Sequence, residues 1–307
     1  MPEGIKNAIL IYNPTSGRRR KRRFEEIEKA TRILKDAGIA VQIAATTAPG
    51  TAREMARLAV GQRQDLVIAC GGDGTVNEVI NGLAGSQVPM ALLPAGTANI
   101  LAKELGVPWD IPQAARLIPG GIIRRIALGI ASQVNQDGGR YFLCVAGAGP
   151  DGAIVNGVDE IFKKNAGILA YWAEGMKQLV RYDFPEMRVR SGGQERKATI
   201  IVVGRTAHYG GPFKITTGAS LFEDSFEMLT NSTRSRLKYL MCLPALWLGK
   251  IRSVEGIEMW KDTEVICEPV DDRMVFAQVD GEPVGPLPLA FRIVPDALSI
   301  VVPAEKK

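Results

Sequence analysis

The stretch LVIACGGDGTVNEVI, residues 66–80, carries the strongest indication of the fold. It opens with an apolar run, Leu66 to Cys70, which is typical of a strand buried on both faces. It closes with a predicted helix, about Thr75 to Ala84, whose apolar side chains recur at helical spacing. The turn between them is Gly71-Gly72-Asp73-Gly74. Because ligands of α/β sheets bind outside the carboxyl ends of the strands, this turn is a candidate phosphate-binding loop.

The same alternation of strand and helix runs through the first third of the chain. Predicted strands cover residues 8–12, 41–44, 66–70 and 90–93, and predicted helices cover 22–36, 51–60 and 75–84. Strands that alternate with helices imply a parallel sheet with right-handed crossovers. We therefore expect an α/β domain over residues 1–127.

Beyond about Leu128 the predicted strands become dense and are separated by turn signals such as Asp280-Gly281. Two helical segments, about Glu160 to Arg181 and Ser235 to Leu248, interrupt them. We therefore expect a second, mostly antiparallel β domain over residues 128–307, and a return of its last residues to the first domain stays open. The predicted strands are 141–146, 187–190, 199–203, 226–230, 264–267, 274–279, 289–294 and 298–302.

Two more glycine turns follow predicted strands of the first domain. They are Asn13-Pro14-Thr15-Ser16-Gly17 and Pro94-Ala95-Gly96-Thr97-Ala98-Asn99. Since the carboxyl ends of parallel strands meet at one edge of a sheet, the three turns together predict a phosphate pocket. The motif G-x-x-x-x-G-K-[ST] is absent, and G-x-G-x-x-G does not follow the first strand, which excludes a P-loop enzyme and a typical dinucleotide dehydrogenase.

Asp73 is the unusual member of the first turn. Its carboxylate would repel a phosphate unless a divalent cation lies between them, and the Mg²⁺ that accompanies ATP is the natural mediator. The alternative from the residues alone is an ordinary glycine turn with an Asp turn residue.

The composition excludes several functional classes. With a single histidine, His208, neither a hydrolase triad nor a multi-histidine metal site is expected. The four cysteines show no metal-binding spacing and are expected to be buried, reduced thiols. No apolar run approaches the roughly 20 residues that span a bilayer. Met1 to Asn13 lacks a signal-peptide pattern, so we expect a cytoplasmic protein.

The charge balance favours anionic partners. The formal net charge is +5, and six consecutive basic residues occupy Arg18 to Arg23. A solvated helix start, a contact with an anionic membrane or phosphate, and nucleic-acid binding all fit this run. No interleaving of aromatic and basic residues supports nucleic acid, so none is expected as a partner.

The three loop motifs, in this order and spacing, resemble the diacylglycerol-kinase catalytic-domain family of lipid kinases, which includes soluble bacterial members. The motifs are Asn13 to Gly17, Gly71 to Val79 and Pro94 to Asn99. The resemblance implies an α/β nucleotide domain, a C-terminal β-sandwich, and an active cleft between them. It also implies Mg²⁺-dependent transfer of the γ-phosphate of ATP to a lipid hydroxyl, with diacylglycerol or a sphingoid base as candidate acceptors.

The resemblance implies ATP contacts in the three loops and at Thr46, for which Thr47 is a close rival. The implied ATP-binding residues are Asn13, Pro14, Thr15, Ser16, Gly17, Thr46, Gly71, Gly72, Asp73, Gly74, Thr75, Val76, Asn77, Gly96 and Thr97.

A third set of implied residues lies in Val279-Asp280-Gly281-Glu282-Pro283. From the residues alone this is a tight turn between strands. The family has D-G-E here, which implies that Asp280 is the general base and that Glu282 assists through Mg²⁺ or shares the base role. Asp73 completes the implied catalytic set.

The resemblance also implies a structural Mg²⁺, held in bacterial relatives by one Asp and two backbone carbonyls. The matching positions are Leu221, Asp224 and Phe226. This chain departs from the family at three places: Ser225 replaces Gly, Glu227 replaces Asp, and Ala127 stands where many relatives have Asp. A solvated acidic turn is the alternative interpretation of this loop.

The lipid side is represented by an apolar segment, Leu240 to Lys250, with basic residues on both flanks. It fits a membrane-interface helix or a helix that covers the β domain, and the same alternatives apply to Ile168 to Met176. We expect a lipid substrate at a membrane surface and peripheral contact with anionic lipid at the inner membrane face. A homodimer stays open.

Two other functions compete. NAD kinases share GGDGT in a related two-domain fold, but the Asn13 to Gly17 and Pro94 to Asn99 motifs favour a lipid kinase. A non-catalytic nucleotide or lipid sensor is the other alternative. The intact acids Asp73, Asp280 and Glu282 argue against it, because a binding module has little use for a base.

Overall fold

A computed structural model of the chain describes residues 4–17, 22–136, 138–157, 182–209 and 213–304. The predicted helix at 160–181 and four residues of the basic run, 18–21, lie outside the described residues. The chain divides into two compact units. Unit 1 comprises residues 1–128 and 295–307, and unit 2 comprises residues 129–294.

Unit 1 is built on a parallel sheet. Its strand order is β2-β1-β3-β4-β18, and every neighbouring pair runs parallel. The arrangement confirms the predicted α/β layer. The strands are β1 (Asn7–Tyr12), β2 (Ala40–Ala45), β3 (Leu66–Gly71), β4 (Met90–Pro94) and the C-terminal part of β18 (Leu289–Val302). The helices are α1 (Arg23–Asp36), α2 (Thr51–Gly61), α3 (Asp73–Leu83), α4 (Ile100–Glu104) and α5 (Ile111–Leu117).

The strands and helices of unit 1 could be predicted because their apolar residues are buried. Every residue of β3 and β4 is buried, as expected for apolar runs in the middle of a covered parallel sheet. Helices α2 and α3 pack closely through small residues. A Cβ on Gly82 would lie 2.5 Å from the Arg53 carbonyl oxygen and 2.6 Å from the Ala56 Cβ, so only glycine fits there.

In the described residues, unit 2 contains two larger antiparallel sheets and a small one of β11 and β12. One of the larger sheets has the order β14-β13-β10-β7-β16-β17, and the other contains β18-β15-β8-β9 with β5 paired to β6. The strands are β5 (Ile122–Gln133), which starts in unit 1, β6 (Arg140–Phe142), β7 (Val145–Ala148), β8 (Met187–Ser191), β9 (Gln194–Ala198), β10 (Ile200–Gly204), β11 (His208–Tyr209), β12 (Phe213–Lys214), β13 (Phe226–Asn231), β14 (Ile257–Asp262), β15 (Glu264–Pro269), β16 (Phe276–Val279) and β17 (Glu282–Pro286). The helices are α6 (Pro150–Gly157) and α7 (Arg236–Trp247), with a 3₁₀ turn at Ile251–Ser253.

The core of unit 2 lies where side chains of both sheets meet. The ring of Phe142 stacks on Phe226 with centroids 5.7 Å apart and meets Phe291 edge-on at 6.3 Å. Phe142 and Phe291 come from one sheet and Phe226 from the other, so the two sheets pack face to face. This confirms the mostly antiparallel sandwich that the resemblance implied.

Two strand predictions need correction. The single strand expected at 141–146 is divided into β6 and β7, because the backbone N–H groups of Leu143 and Cys144 bind a side chain instead of a neighbouring strand. The two strands expected at 289–294 and 298–302 are one strand, β18, in which Pro295 is exposed at the middle.

Candidate functional site

The predicted phosphate loops follow strands of one parallel sheet. Since β1, β3 and β4 are parallel neighbours, the loops that follow them lie at the same edge of the unit 1 sheet. We call them the first loop (residues 13–17), the second loop (71–74) and the third loop (94–99). Their hydrogen bonds decide whether they form one site.

The first and second loops are directly bonded. The Asn13 side-chain amide donates to Thr75 Oγ1 at 3.2 Å, and the Gly72 N–H donates to Ser16 Oγ at 3.3 Å. The Asn13 side chain also accepts the Thr15 N–H at 2.9 Å, which closes a local turn. The polar residues of the first loop therefore fix its position against the start of α3.

The second and third loops are tied together by Asp73. Its Oδ2 accepts the Asn99 N–H at 3.0 Å and its Oδ1 accepts the Ile100 N–H at 2.7 Å. The two backbones also touch, because a Cβ on Gly96 would lie only 2.4 Å from the Gly72 Cα. Glycine at these positions is thus required by the close approach of the loops.

A buried arginine joins the first and third loops. Arg23 is 5% exposed, and its Nη2 donates to the carbonyls of Ser16 at 3.2 Å and Ala95 at 3.0 Å. Sequence reasoning treated Arg18 to Arg23 as one basic run, but Arg23 has a different role from its exposed neighbour Arg22. No local pattern in the sequence distinguishes the two, because the Ala95 carbonyl that binds Arg23 is 72 positions away.

The other predicted ATP-binding residues are distributed around these loops. Pro14 and Gly17 complete the first loop, and Gly17 has a φ of 67°, which favours glycine. Thr97 is exposed in the third loop. Thr46 follows β2, on the side of β1 away from β3, and its N–H donates to the Tyr12 carbonyl at 2.8 Å. Gly71, Gly74, Thr75, Val76 and Asn77 lie at the end of β3 and in the first turns of α3.

In unit 2, Asp280 and Gly281 form the two-residue turn between β16 and β17. Both have left-handed backbones, with φ values of 48° and 79°. Asp-Gly is among the preferred pairs for such hairpin turns. Glu282 is the first residue of β17 and is half-buried. The turn expected from the sequence is therefore present, and Asp280 has a left-handed backbone, which residues other than glycine rarely adopt.

The Asp280 carboxylate binds three successive backbone N–H groups. Leu143 donates to Oδ2 at 2.8 Å, and Cys144 and Val145 donate to Oδ1 at 2.9 Å each. Such bonds to a carboxylate are strong and hold it in one orientation. They also explain the break between β6 and β7.

A buried polar chain supports this turn from behind. The Gly281 N–H donates to Gln278 Oε1 at 2.8 Å, and the Gln278 amide donates to Asp151 Oδ2 at 2.7 Å. Asp151 is 5% exposed, and burial raises its pKa to about 6, against the opposing effect of the Gln278 hydrogen bond. Sequence reasoning missed Asp151, since Pro150-Asp151-Gly152 has the composition of an ordinary turn.

Comparison with known proteins decides the family. The diacylglycerol kinase catalytic domain matches residues 7–131, and the YegS C-terminal NAD kinase beta sandwich-like domain matches residues 144–302. A diacylglycerol kinase of Bacillus subtilis (strain 168) is 32% identical over 309 residues, covering 98% of each chain. The chain belongs to the diacylglycerol kinase family. It is therefore a kinase that transfers phosphate to an alcohol group.

Further relatives agree with this family. A diacylglycerol kinase of Staphylococcus aureus (strain bovine RF122 / ET3-1) is 29% identical over 292 residues, covering 93% of this chain and 89% of that protein. The crystal structure of a diacylglycerol kinase from Bacillus anthracis str. Sterne has a TM-score of 0.77 at 22% identity and covers 98% of each chain. The structural likeness extends over both units and supports the two-domain fold.

The loop at residues 221–226, where family members were expected to hold a structural Mg²⁺, already contains a cation. Arg205 is fully buried, and its guanidinium donates to the Leu221 carbonyl at 2.9 Å and the Glu223 carbonyl at 3.2 Å. Burial lowers the Arg205 pKa to about 10, while the nearby Asp224 carboxylate opposes this shift. Arg205 therefore stays charged at neutral pH.

The positive charge of Arg205 would repel a divalent cation at the same carbonyl. Asp224, the one carboxylate assigned to the metal ion, is exposed, and the Leu221 carbonyl assigned beside it already accepts the Arg205 guanidinium. Glu227, one of the departures from the family, is buried and binds the Gly218 N–H and Arg252. The donor set of Leu221, Asp224 and Phe226 does not fit a further cation, and no part of the function proposed below depends on one there.

None of the helices in the described ranges has the length and apolar character needed to cross a bilayer.

The raised pKa of Asp151 gives a testable pH dependence. A raised pKa stabilises the fold below pH about 4, and this contribution is lost as pH rises through about 6. Asp151→Asn should remove the effect, so the free energy of unfolding of the variant relative to wild type should rise between pH 4.5 and 7 by about 2 kcal/mol. Urea titrations at several pH values measure the difference.

The control for this titration is Asp65→Asn. Backbone hydrogen bonds from Lys6 and Asn7 lower the pKa of Asp65, so its linkage lies below the pH range tested. Its difference from wild type should be flat above pH 4.5. A flat profile for Asp151→Asn as well would show that Asp151 is not buried as described.

If Arg205, and no metal ion, stabilises the loop at residues 221–226, then removal of metal should leave the melting temperature unchanged. In the absence of nucleotide, EDTA and Mg²⁺ should give the same melting temperature for wild type. Arg205→Met should lower it by several degrees, because two buried carbonyls lose a charged donor, at a cost of about 3 kcal/mol. Arg190→Met, which breaks an exposed pair with Glu268, is the control and should shift it little. A large drop of the wild-type melting temperature in EDTA would contradict this interpretation.

Proposed function

We propose that the chain is an ATP- and Mg²⁺-dependent lipid kinase that transfers the γ-phosphate to the hydroxyl of diacylglycerol or a closely related lipid. The observation that supports it most is the set of three strand-end loops, bonded to one another through Asp73, Asn13 and Ser16. Family membership supports the reaction class, and the names of the relatives support the acceptor.

The loops offer what a nucleotide phosphate needs. Glycines at Gly72 and Gly96 leave backbone surface uncovered by side chains, and the N-terminus of α3 favours negative charge. Hydroxyls of Thr15 and Thr97 add polar groups at exposed positions of the first and third loops. We therefore assign the ATP phosphates to this edge of the unit 1 sheet.

Mg²⁺ bound with the nucleotide would neutralise charge on the phosphates, as in other kinases. Asp73 is the carboxylate of the proposed site and has the hard oxygen atoms that this ion prefers. In the structure its two oxygens also hold the third loop, so Asp73 has a structural role that does not depend on metal.

Asp280 is the proposed general base. A neutral alcohol is a weak nucleophile, and a positioned carboxylate accepts its proton as the bond to phosphorus forms. The three N–H donors to Asp280 hold the carboxylate in one orientation, and a general base has to be positioned in this way. Glu282 follows directly on the same turn and is the proposed assisting acid.

Asp280→Asn tests the base. Asn keeps the side-chain shape and tolerates the left-handed backbone, and turnover should fall at least 100-fold. Because its amide NH2 cannot accept one of the three backbone N–H groups, the melting temperature of the variant is measured beside turnover, and a folded variant is required. ATP affinity, measured by calorimetry on the same sample, should stay within a factor of about three, since the nucleotide loops belong to unit 1.

Asp296→Asn is the matched control, because Asp296 is exposed and has the same backbone conformation, with a φ of 49°. It should keep wild-type turnover. Near wild-type turnover of Asp280→Asn would show that Asp280 is not the base.

The acceptor is identified by radiolabelled phosphate transfer from ATP to lipids in mixed micelles, with NAD as a soluble acceptor. Label in diacylglycerol is the expected result. The NAD arm is needed because the unit 2 match is described as NAD kinase beta sandwich-like. Label in NAD alone would replace the lipid assignment, and ATP binding without transfer to any acceptor would indicate a sensor.

A further inference from the structure

Helix α7 of unit 2 is attached to its unit by one face. Tyr239 stacks on Phe184 with ring centroids 4.5 Å apart, and its hydroxyl is 2.8 Å from Thr199 Oγ1. Cys242 and Leu246 pack against a small apolar cluster of the β sheet. These three positions, i, i+3 and i+7, form one face of the helix, so its inner side is determined.

The opposite face of α7 is apolar and exposed. Leu237, Met241 and Leu248 recur at helical spacing on that side and are 67%, 65% and 67% exposed, and Trp247 beside them is 77% exposed. With Leu240 they form what we call the outer row. When a helix packs on a sheet by one face, its other face normally carries polar residues. The outer row of α7 is apolar instead.

Exposed large apolar side chains are concentrated in the outer row. Of the fourteen large apolar side chains that are exposed in the described ranges, five belong to these twelve positions, 237–248. Scattered exposed apolar residues are normal, whereas a contiguous apolar patch marks an interaction surface.

The charged residues of the segment that contains the outer row are all basic. Residues 228–254 contain five Arg or Lys and no Asp or Glu. Two of these cations pair with glutamates, while Arg236, Lys238 and Lys250 are exposed and form no ion pair with any residue of the described ranges. An apolar row with free cations at both ends complements a surface that is anionic outside and apolar beneath.

We propose that the outer row of α7 docks on an anionic lipid bilayer, lying in the plane of the interface. The proposal rests on the lipid-kinase function, because that function places the acceptor in a bilayer. Leu237, Met241 and Trp247 enter the boundary between headgroups and acyl chains, while Arg236 and Lys250 contact anionic headgroups. In this proposal one face of the helix covers the β domain and the other face contacts lipid.

The test is sedimentation with vesicles of phosphatidylglycerol and phosphatidylcholine. Met241→Gln should lower the vesicle partition coefficient about tenfold, because one buried apolar side chain is lost from the interface. Met274→Gln is the matched control, since Met274 is equally exposed at 68% in the same unit but outside α7. It should bind as wild type. Equal binding by the two variants would overturn the proposal.

The charges are tested separately. Arg236→Gln with Lys250→Gln should weaken binding to anionic vesicles at 0.1 M salt, and the difference from wild type should shrink at 0.5 M. Lys197→Gln, an exposed cation on β9, is the control. Wild-type binding to pure phosphatidylcholine as strong as binding to anionic vesicles would contradict the role given to the cations.

Further measurements distinguish membrane docking from an effect on catalysis and from dimerisation. With a short-chain, water-soluble diacylglycerol, Met241→Gln should keep wild-type turnover, and only turnover on vesicles should fall. If wild type phosphorylates no lipid, the proposed function fails, while the vesicle comparison still decides the docking surface. If wild type is a dimer in solution that Met241→Gln dissociates without loss of vesicle binding, a second copy of the chain covers the outer row instead.

Discussion

The carboxylate of Asp73 accepts the backbone N–H groups of Asn99 and Ile100, and the loop geometry of unit 1 depends on this pair of bonds. They hold the third loop so close to the second that Gly72 and Gly96 touch through their backbones. Asn13, Ser16 and the buried Arg23 then bind the first loop to the other two. A flexible set of glycine turns is thereby fixed in one arrangement, which is the condition for binding phosphate without an ordering cost.

In unit 2 a carboxylate again accepts backbone N–H groups, here at the turn between β16 and β17. Asp280 binds three backbone N–H groups, and the buried pair of Gln278 and Asp151 supports the following residue, Gly281. Asp73 and Asp280 thus stabilise the local structure and are also candidates for catalytic roles. A loss of activity on their removal is interpretable only when folding and ATP affinity are measured on the same variant.

The fold class was readable from the sequence because the relevant signals are local. β3 and β4 are short apolar runs that are buried along their whole length, and α7 begins at Ser235, whose side chain caps it. The order of strands and helices then left few topologies. The loop motifs also predicted that the first, second and third loops lie at one edge of the sheet.

What the sequence did not reveal depends on contacts between distant residues. The break between β6 and β7 is made by a side chain 135 to 137 positions away, and Arg23 is distinguished from Arg22 by a carbonyl 72 positions away. Asp151 and Arg205 are buried charged groups without a local pattern. The role of Arg205 changes the expectation for the Leu221 to Phe226 loop, because its guanidinium binds the Leu221 carbonyl, one of the three oxygen donors assigned to a metal ion.

The central claim is that the three bonded loops of unit 1 hold the nucleotide phosphates. Hydrogen–deuterium exchange with and without Mg²⁺ and ATP tests it most directly, since it reports backbone N–H groups one segment at a time. Peptides that cover residues 13–17, 71–77 and 95–100 should exchange more slowly with nucleotide, while the strands of unit 2 should not change. Unchanged exchange in all three loops at saturating ATP, or protection confined to other segments, would contradict the claim.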